Sequence, residues 1–231
     1  MAKQKELDIE QARELVSSPV LWPRVRDFLW DFAPQVHSSW LNGLPGREMF
    51  VTEDDSAKVS CIMSNPKTKA FVLSSLGVEP CFHTFPKEDG SRLLLLDGAT
   101  LASIAKWLGA LSCADALRKV MDGATVRALK AELPGVYPEV FGYLAYFKGM
   151  NSVAKNAKSA EDVVATGFAL LFSAFAALPS SLVSRLRFKF PQDLCDLCVI
   201  SGKKEDVPSR LQVVNKLLKL KFPEAYSLCC S

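Results

Sequence analysis

Apolar residues return at helical spacing along much of the chain. From Asp97 onward, Leu101, Ile104, Ala105, Leu108 and Leu111 fall on one face of a 3.6-residue period, and Asp97 stands where it can cap the first turn. Ser112 and Asp115 have capping-box spacing, which predicts a following helix with the stripe Ala116, Leu117, Val120 and Met121. GATVRALKAEL, closed by Pro134 and Gly135, reads as a third helix and the aromatic-rich YPEVFGYLAYFKG as a fourth. Ser159 with Asp162 opens a very apolar helix that Pro179 ends. DVPSRLQVVNKLLKLKF lines up Val207, Leu211, Val214, Leu218 and Phe222 on a last helical face.

Nearer the N-terminus the pattern is sparser. Residues 4–18 suit an exposed amphipathic helix with Leu7, Ile9 and Leu15 as its apolar share. A short helix through WPRVRDFLWDF has Pro23 at its start, where a missing N–H costs nothing. TEDDSAKVSCIMS and PKTKAFVLSSLG follow as two short helices, the second started by Pro66 and stopped by Gly77. Residues 81–96 are ambiguous: Asp89–Gly90 between apolar runs signals a hairpin, while Pro86 weakens its first arm. RLRFKF, residues 185–190, alternates basic and apolar with period two and reads as a strand. The fold class expected is mainly α, a single multi-helix domain over 1–231 with at most a short hairpin or strand. The first 20 residues are expected as a peripheral helix.

DFAPQVHSSWLNGLPG, Asp31 to Gly46, breaks the helical pattern. Pro34 and Pro45 disfavour helix in the residue before each, yet the stretch carries Phe32, Val36, Trp40, Leu41 and Leu44. Large apolar side chains on a loop either plug the local core or are offered to a partner. Local packing is the expectation here, with docking as the alternative.

The chain has 231 residues, enough for one domain or two small ones, and such a length buries roughly 70–75 % of its unfolded surface. A net charge of +3 with 23 % charged residues does not argue for nucleic acid. MAKQKELDIEQARELVSS has no apolar core after its lysines, so no secretory signal is expected, and seven cysteines then suit reduced thiols in a cytosol. The apolar run Val163 to Leu178, ended by Pro179, is 16 residues, short of the about 20 that a spanning helix needs. Its many Ala, Gly, Ser and Thr suit close approach of neighbouring helices, so a buried central helix is expected.

Candidate chemistry is thin. Cys195-x-x-Cys198 has only the adjacent pair Cys229–Cys230 for company, which does not match the spaced pairs of a structural zinc site. Leu194, Leu197 and Cys198 on one helical face account for the thiols as packing. A cysteine nucleophile needs a histidine base, and only His37 and His83 exist, both in loop-like sequence. There is no glycine-rich phosphate loop, no G-x-S-x-G and no H-E-x-x-H. No enzyme activity, metal or cofactor is expected. Basic residues cluster late, from Arg185, Arg187 and Lys189 to Lys203, Lys204, Arg210, Lys216, Lys219 and Lys221. That suits a solvated face or an acidic protein partner better than nucleic acid, because no aromatic ladder alternates with the charges.

Three stretches in order resemble the SctK family of type III secretion systems (the YscK, PscK, MxiK and OrgA group). The first holds Phe32, Pro34, His37, Trp40 and Leu41, similar to the family's Phe-x-Pro, His and Trp-Leu-Pro-like pattern. The second, IAKWLGALSCADALRKVMDGATVRALKAELPGVYPEVFGYL, resembles its series of short helices through Leu108, Gly109, Leu117, Arg118, Leu129 and Tyr137. The third, GFALLFSAFAALPSSLVSRLRFKFP, resembles its small-residue helix, proline and basic tail through Gly167, Pro179, Arg185, Leu186 and Pro191. The three span about residues 30–191; the N-terminal helix and the basic C-terminal helix depart from the family pattern.

The resemblance implies a non-enzymatic helical adaptor in the bacterial cytoplasm, held at the inner membrane through protein contacts. Its implied partners are the cytoplasmic domain of the ring protein SctD and the platform protein SctQ, with no nucleic acid and no membrane insertion, and the chain a monomer in isolation. Arg185, Arg187 and Lys189 are then the candidate partner-binding residues, and Phe32, Pro34, His37, Trp40 and Leu41 are motif residues with a structural role. A zinc- or thiol-dependent enzyme and a nucleic-acid-associated helical protein are the competing classes.

Overall fold

The computed structural model describes residues 2–46, 64–79, 81–147, 159–197 and 207–230. The fold is all-α, with no strand among the described residues. Its helices are α1 (Ala2–Ser17), α2 (Leu21–Leu29), α3 (Ser38–Leu41), α4 (Pro66–Ser75), α5 (Gly98–Ser112), α6 (Ala114–Leu117), α7 (Gly123–Glu132), α8 (Val140–Tyr143), α9 (Ala160–Ala174), α10 (Ser180–Phe188), α11 (Gln192–Leu197), α12 (Val207–Lys221) and α13 (Pro223–Cys230). Single 3-10 turns occupy Ala33–Gln35, Ser91–Leu95 and Leu144–Tyr146. The helix expected over TEDDSAKVSCIMS lies outside the described residues, as does Cys198. Backbone contacts divide the chain into two compact units.

The first unit comprises Met1–Gly98, Leu178–Cys195 and Glu224–Ser231. In α2, Leu21, Val25, Phe28 and Leu29 are buried at helical spacing, and the Ser18 hydroxyl accepts the Leu21 N–H to cap the first turn. Phe28 meets Phe32 and Phe85 edge to face, with ring centroids 5.6 and 5.9 Å away. α4 starts at Pro66 behind an Asn65 cap and stops at Gly77, whose φ of 66° a side-chain-bearing residue would resist. Asp89–Gly90 does turn the chain, with Gly90 at φ 74°, but into the 3-10 turn Ser91–Leu95 and not a hairpin.

The strand expected over RLRFKF is also corrected, since Arg185 to Phe188 belong to α10. Leu182, Arg185, Leu186 and Lys189 are all buried and stand at i, i+3, i+4 and i+7, a helical face that includes two basic residues. Treating every arginine and lysine as exposed leaves only the apolar positions of that face, and the remainder mimics period two.

The second unit comprises Ala99–Ala177 and Asp196–Pro223. α9 is its central helix. It opens with the capping box of Ser159 and Asp162, and Val163, Phe168, Leu171 and Phe172 are buried along it. α7 and α12 pack against it. α5 crosses it with backbones touching. A Cβ on Gly109 would sit 2.9 Å from the Val163 carbonyl carbon and closer to its oxygen, and one on Gly167 would do the same to Ala105. The capping box expected at Ser112 is absent: Cys113 precedes α6, the Ser112 hydroxyl has no partner among the described residues, and Met121 lies beyond the helix, 94 % exposed. α6 stops after one turn. The aromatic segment likewise folds as two short pieces, α8 and Leu144–Tyr146. Among the described residues, no helix is long and apolar enough to cross a membrane.

Candidate functional site

The loop from Asp31 to Gly46 and the basic end of α10 meet within the first unit. Phe32, Ala33, Val36, Leu41 and Leu44 are all buried, which accounts for apolar residues on a loop. Pro34 sits inside the 3-10 turn Ala33–Gln35, where its fixed φ fits. His37 caps α3 through Nδ1, which accepts the Ser39 N–H, while its own N–H donates to the Phe188 carbonyl at 2.7 Å. Trp40 is half-buried. Its ring lies edge to face on Phe188 at 4.8 Å, and its Nε1–H donates to the Phe190 carbonyl at 2.8 Å. The Ser39 hydroxyl accepts the Gln192 N–H at 3.0 Å, so three hydrogen bonds join the loop to α10, α11 and the link between them.

The basic residues work inward. Arg185 is 2 % exposed; one guanidinium nitrogen donates to the Phe28 carbonyl at 2.9 Å and another to the Glu79 carbonyl at 2.8 Å. Its charge lies over the Phe32 ring at 5.4 Å. Lys189 donates to the carbonyls of Leu94 and Leu96, both at 2.7 Å, over the Phe28 ring at 5.1 Å. Phe28 lies in the last turn of α2 and Leu94 in the last turn of a 3-10 segment, so both cations satisfy carbonyls at helix ends, where the dipole is negative. The expectation that Arg185 and Lys189 form a partner-binding surface is therefore corrected: both are buried and committed to the backbone. Arg187, the third member, is half-exposed.

Arg92 follows the same logic. It is buried, donates to the Phe85 carbonyl at 2.9 Å and pairs with Glu14 at 3.1 Å, and that hydrogen bond holds the Glu14 carboxyl below its usual range. No sequence pattern flagged it.

Burial pushes the Lys189 ammonium down to about 7, with Asp97 opposing the shift and Arg24 adding to it. The unfolded chain holds this proton up to lysine's ordinary 10.5, so between about pH 7 and that value it binds more protons than the folded state. Lys189 therefore makes stability rise with pH across that window and leaves it flat below. Burial of Cys113 and Cys229, pushed up to about 11 and about 12, acts in the opposite direction above the ordinary thiol value of 9.0. Urea unfolding midpoints measured between about pH 7 and 9 are expected to climb for the wild type relative to Lys189→Met. Parallel curves would refute the assignment.

The remaining candidates have local roles. Cys195 is buried and its thiol meets the Arg187 carbonyl at 3.3 Å. His83 pairs with Asp89 at 3.0 Å; burial raises the Asp89 carboxyl, but His83 and Ser91 outweigh it and the net shift is downward. An open groove of about 460 Å³ in the second unit is lined by Ala124, Ala128, Leu129, Glu132, Ala160 and Glu161 among others. No cluster of three or more His, Cys, Asp or Glu suited to a metal occurs among the described residues. In comparisons with known proteins, no family model, no curated protein and no solved structure matches the chain.

Proposed function

We propose that the chain is a non-enzymatic adaptor of the type III secretion sorting platform, bridging the cytoplasmic domain of the inner-membrane ring protein SctD and the platform protein SctQ at the cytosolic face of that membrane. The observation that carries this reading is the joint between the first and third stretches resembling the SctK family. Trp40, His37 and Ser39 of the first are hydrogen-bonded to Phe190, Phe188 and Gln192 in and just after the third. Two segments some 150 residues apart thus resemble the family where they build one structural joint.

An adaptor acts through contact, and truncation costs at interfaces concentrate in a few aromatic and arginine side chains. On this reading the anchors are not the loop but the outer side of α2. Trp22 and Arg26 on it and Trp30, which caps its C-terminal end, stand four residues apart, with the two indoles 5.8 Å apart and Trp30 55 % exposed.

Trp30→Ala is expected to leave the melting temperature nearly unchanged and to weaken partner binding by about 2 kcal/mol. Trp40→Ala is expected to do the reverse: a loss of about 3 kcal/mol in stability, with the affinity of the folded fraction unaltered. Thermal melts beside titrations with SctD cytoplasmic domain and SctQ separate the two. The tagged chain, expressed in its native host, should capture ring and platform components; capture of neither would sink the adaptor reading.

A further inference from the structure

We propose that Trp107, Tyr143 and Glu139 form a receptor for an alkylammonium group, which the chain's own Lys221 fills and which a lysine side chain of a partner protein can take over. All four residues belong to the second unit, and the proposal stands independently of the adaptor reading. Lys221 Nζ lies 4.4 Å from the centroid of the Trp107 ring and 4.5 Å from that of Tyr143. The two rings meet edge to face at 82°, with centroids 5.5 Å apart, and so form two walls of a corner. Glu139 closes the third side, its carboxylate accepting from Lys221 at 2.8 Å. Electron-rich ring faces and a charge-assisted hydrogen bond are the elements by which proteins select an ammonium group. Burial lowers the Lys221 pKa, but Glu139 and Tyr143 outweigh it, so the site holds the charged form.

The corner is specific among its neighbours. Lys216 lies over Phe147 at 5.6 Å and Arg118 over Phe141 at 5.7 Å, each on a single ring. Among the described residues, only Lys221 has two rings and a carboxylate. Its hold is also that of a replaceable occupant. Lys221 is the last residue of α12, and the Glu139 side chain is 54 % exposed, so the carboxylate side opens to solvent. Tyr146, 55 % exposed with its ring 6.3 Å from that of Tyr143, extends the aromatic surface where an incoming chain would lie. A tethered side chain competes at an effective concentration of about millimolar, which a partner bound through additional contacts can exceed. Charge complementarity commits the partner to a lysine-bearing segment, since an acidic one would face Glu139.

The test uses n-butylammonium chloride as the probe on the full chain, wild type and Lys221→Ala, with the Trp107 indole N–H followed by NMR alongside the melting temperature. Sodium chloride of equal ionic strength and n-butanol are the controls. In Lys221→Ala, only butylammonium should shift the Trp107 signal saturably and raise the melting temperature, and adding Glu139→Gln should weaken it at least about fivefold. The wild type should show the same shift at a concentration at least about tenfold higher, as Lys221 is displaced. A variant that responds equally to sodium and butylammonium overturns the receptor. A wild type that never shifts overturns the exchange. If Lys221→Ala does not fold, Lys221→Gln takes its place under the same criteria.

Discussion

Replacing Gly167 with alanine is expected to destabilise the protein by about 2 to 4 kcal/mol, although alanine is the better helix former by about 1 kcal/mol. Gly167 and Gly109 sit where α9 and α5 cross, and the added Cβ would meet backbone, not a side chain that can swing away. It would lie 2.7 Å from the Ala105 carbonyl carbon and 2.9 Å from the Gly109 nitrogen. The only relief is to move one helix off the other, which uncovers the buried Leu108, Leu171 and Val163 around the crossing. Gly109→Ala should behave alike, and the double variant should cost less than the sum, because one displacement relieves both clashes. Gly142 in α8 supplies the control, since a Cβ there meets nothing within 4 Å. Gly142→Ala is expected to be neutral or stabilising by up to about 1 kcal/mol. Urea unfolding of the four variants measures this; a Gly167→Ala protein as stable as Gly142→Ala would mean that the helices do not touch.

Arg185→Ala is expected to cost about 3 to 5 kcal/mol, an unusual loss for an arginine. Removing the side chain strips the buried carbonyl of Phe28 and the part-buried one of Glu79 of the Arg185 donor and leaves a void beside Phe32. Arg185→Lys keeps the charge, but a single ammonium cannot reproduce the planar fork that reaches both carbonyls, so about 2 kcal/mol should remain lost. Lys189→Glu would set a carboxylate against the carbonyls of Leu94 and Leu96 and is expected not to fold. Arg187→Glu, at a half-exposed position about half a helical turn round from that interior face, should cost no more than about 1 kcal/mol. Equilibrium denaturation with equal slopes across the set tests the assignment. An Arg185→Ala variant within about 1 kcal/mol of wild type would return the basic segment to the surface.

The same two sites mark what a linear reading reaches. The small residues of the run Val163 to Leu178 point to a helix approached closely by others, and α9 is that helix, with its capping box where Ser159 and Asp162 place it. Pro66 and Gly77 bound α4 because a missing N–H and a positive φ are local properties of the chain. Trp40 among prolines and polar residues is legible as a side chain that must find cover.

Short segments fared worse. The helix expected beyond Ser112 lasts one turn, and RLRFKF took the helical conformation, because nucleation is costly and the packing of a few residues decides their state. The candidate site depended most on tertiary structure. By themselves Arg185 and Lys189 belong in water, since desolvating a cation is expensive. Their burial became possible only because carbonyls 157 and 95 positions away in the chain were brought to meet them. Local physics of capping, turn and periodicity determined where the long helices run. Which cations are interior, which glycine faces Gly167 and which carbonyl receives the Trp40 indole were decided by partners distant in sequence, through compensation that exists only in the folded chain.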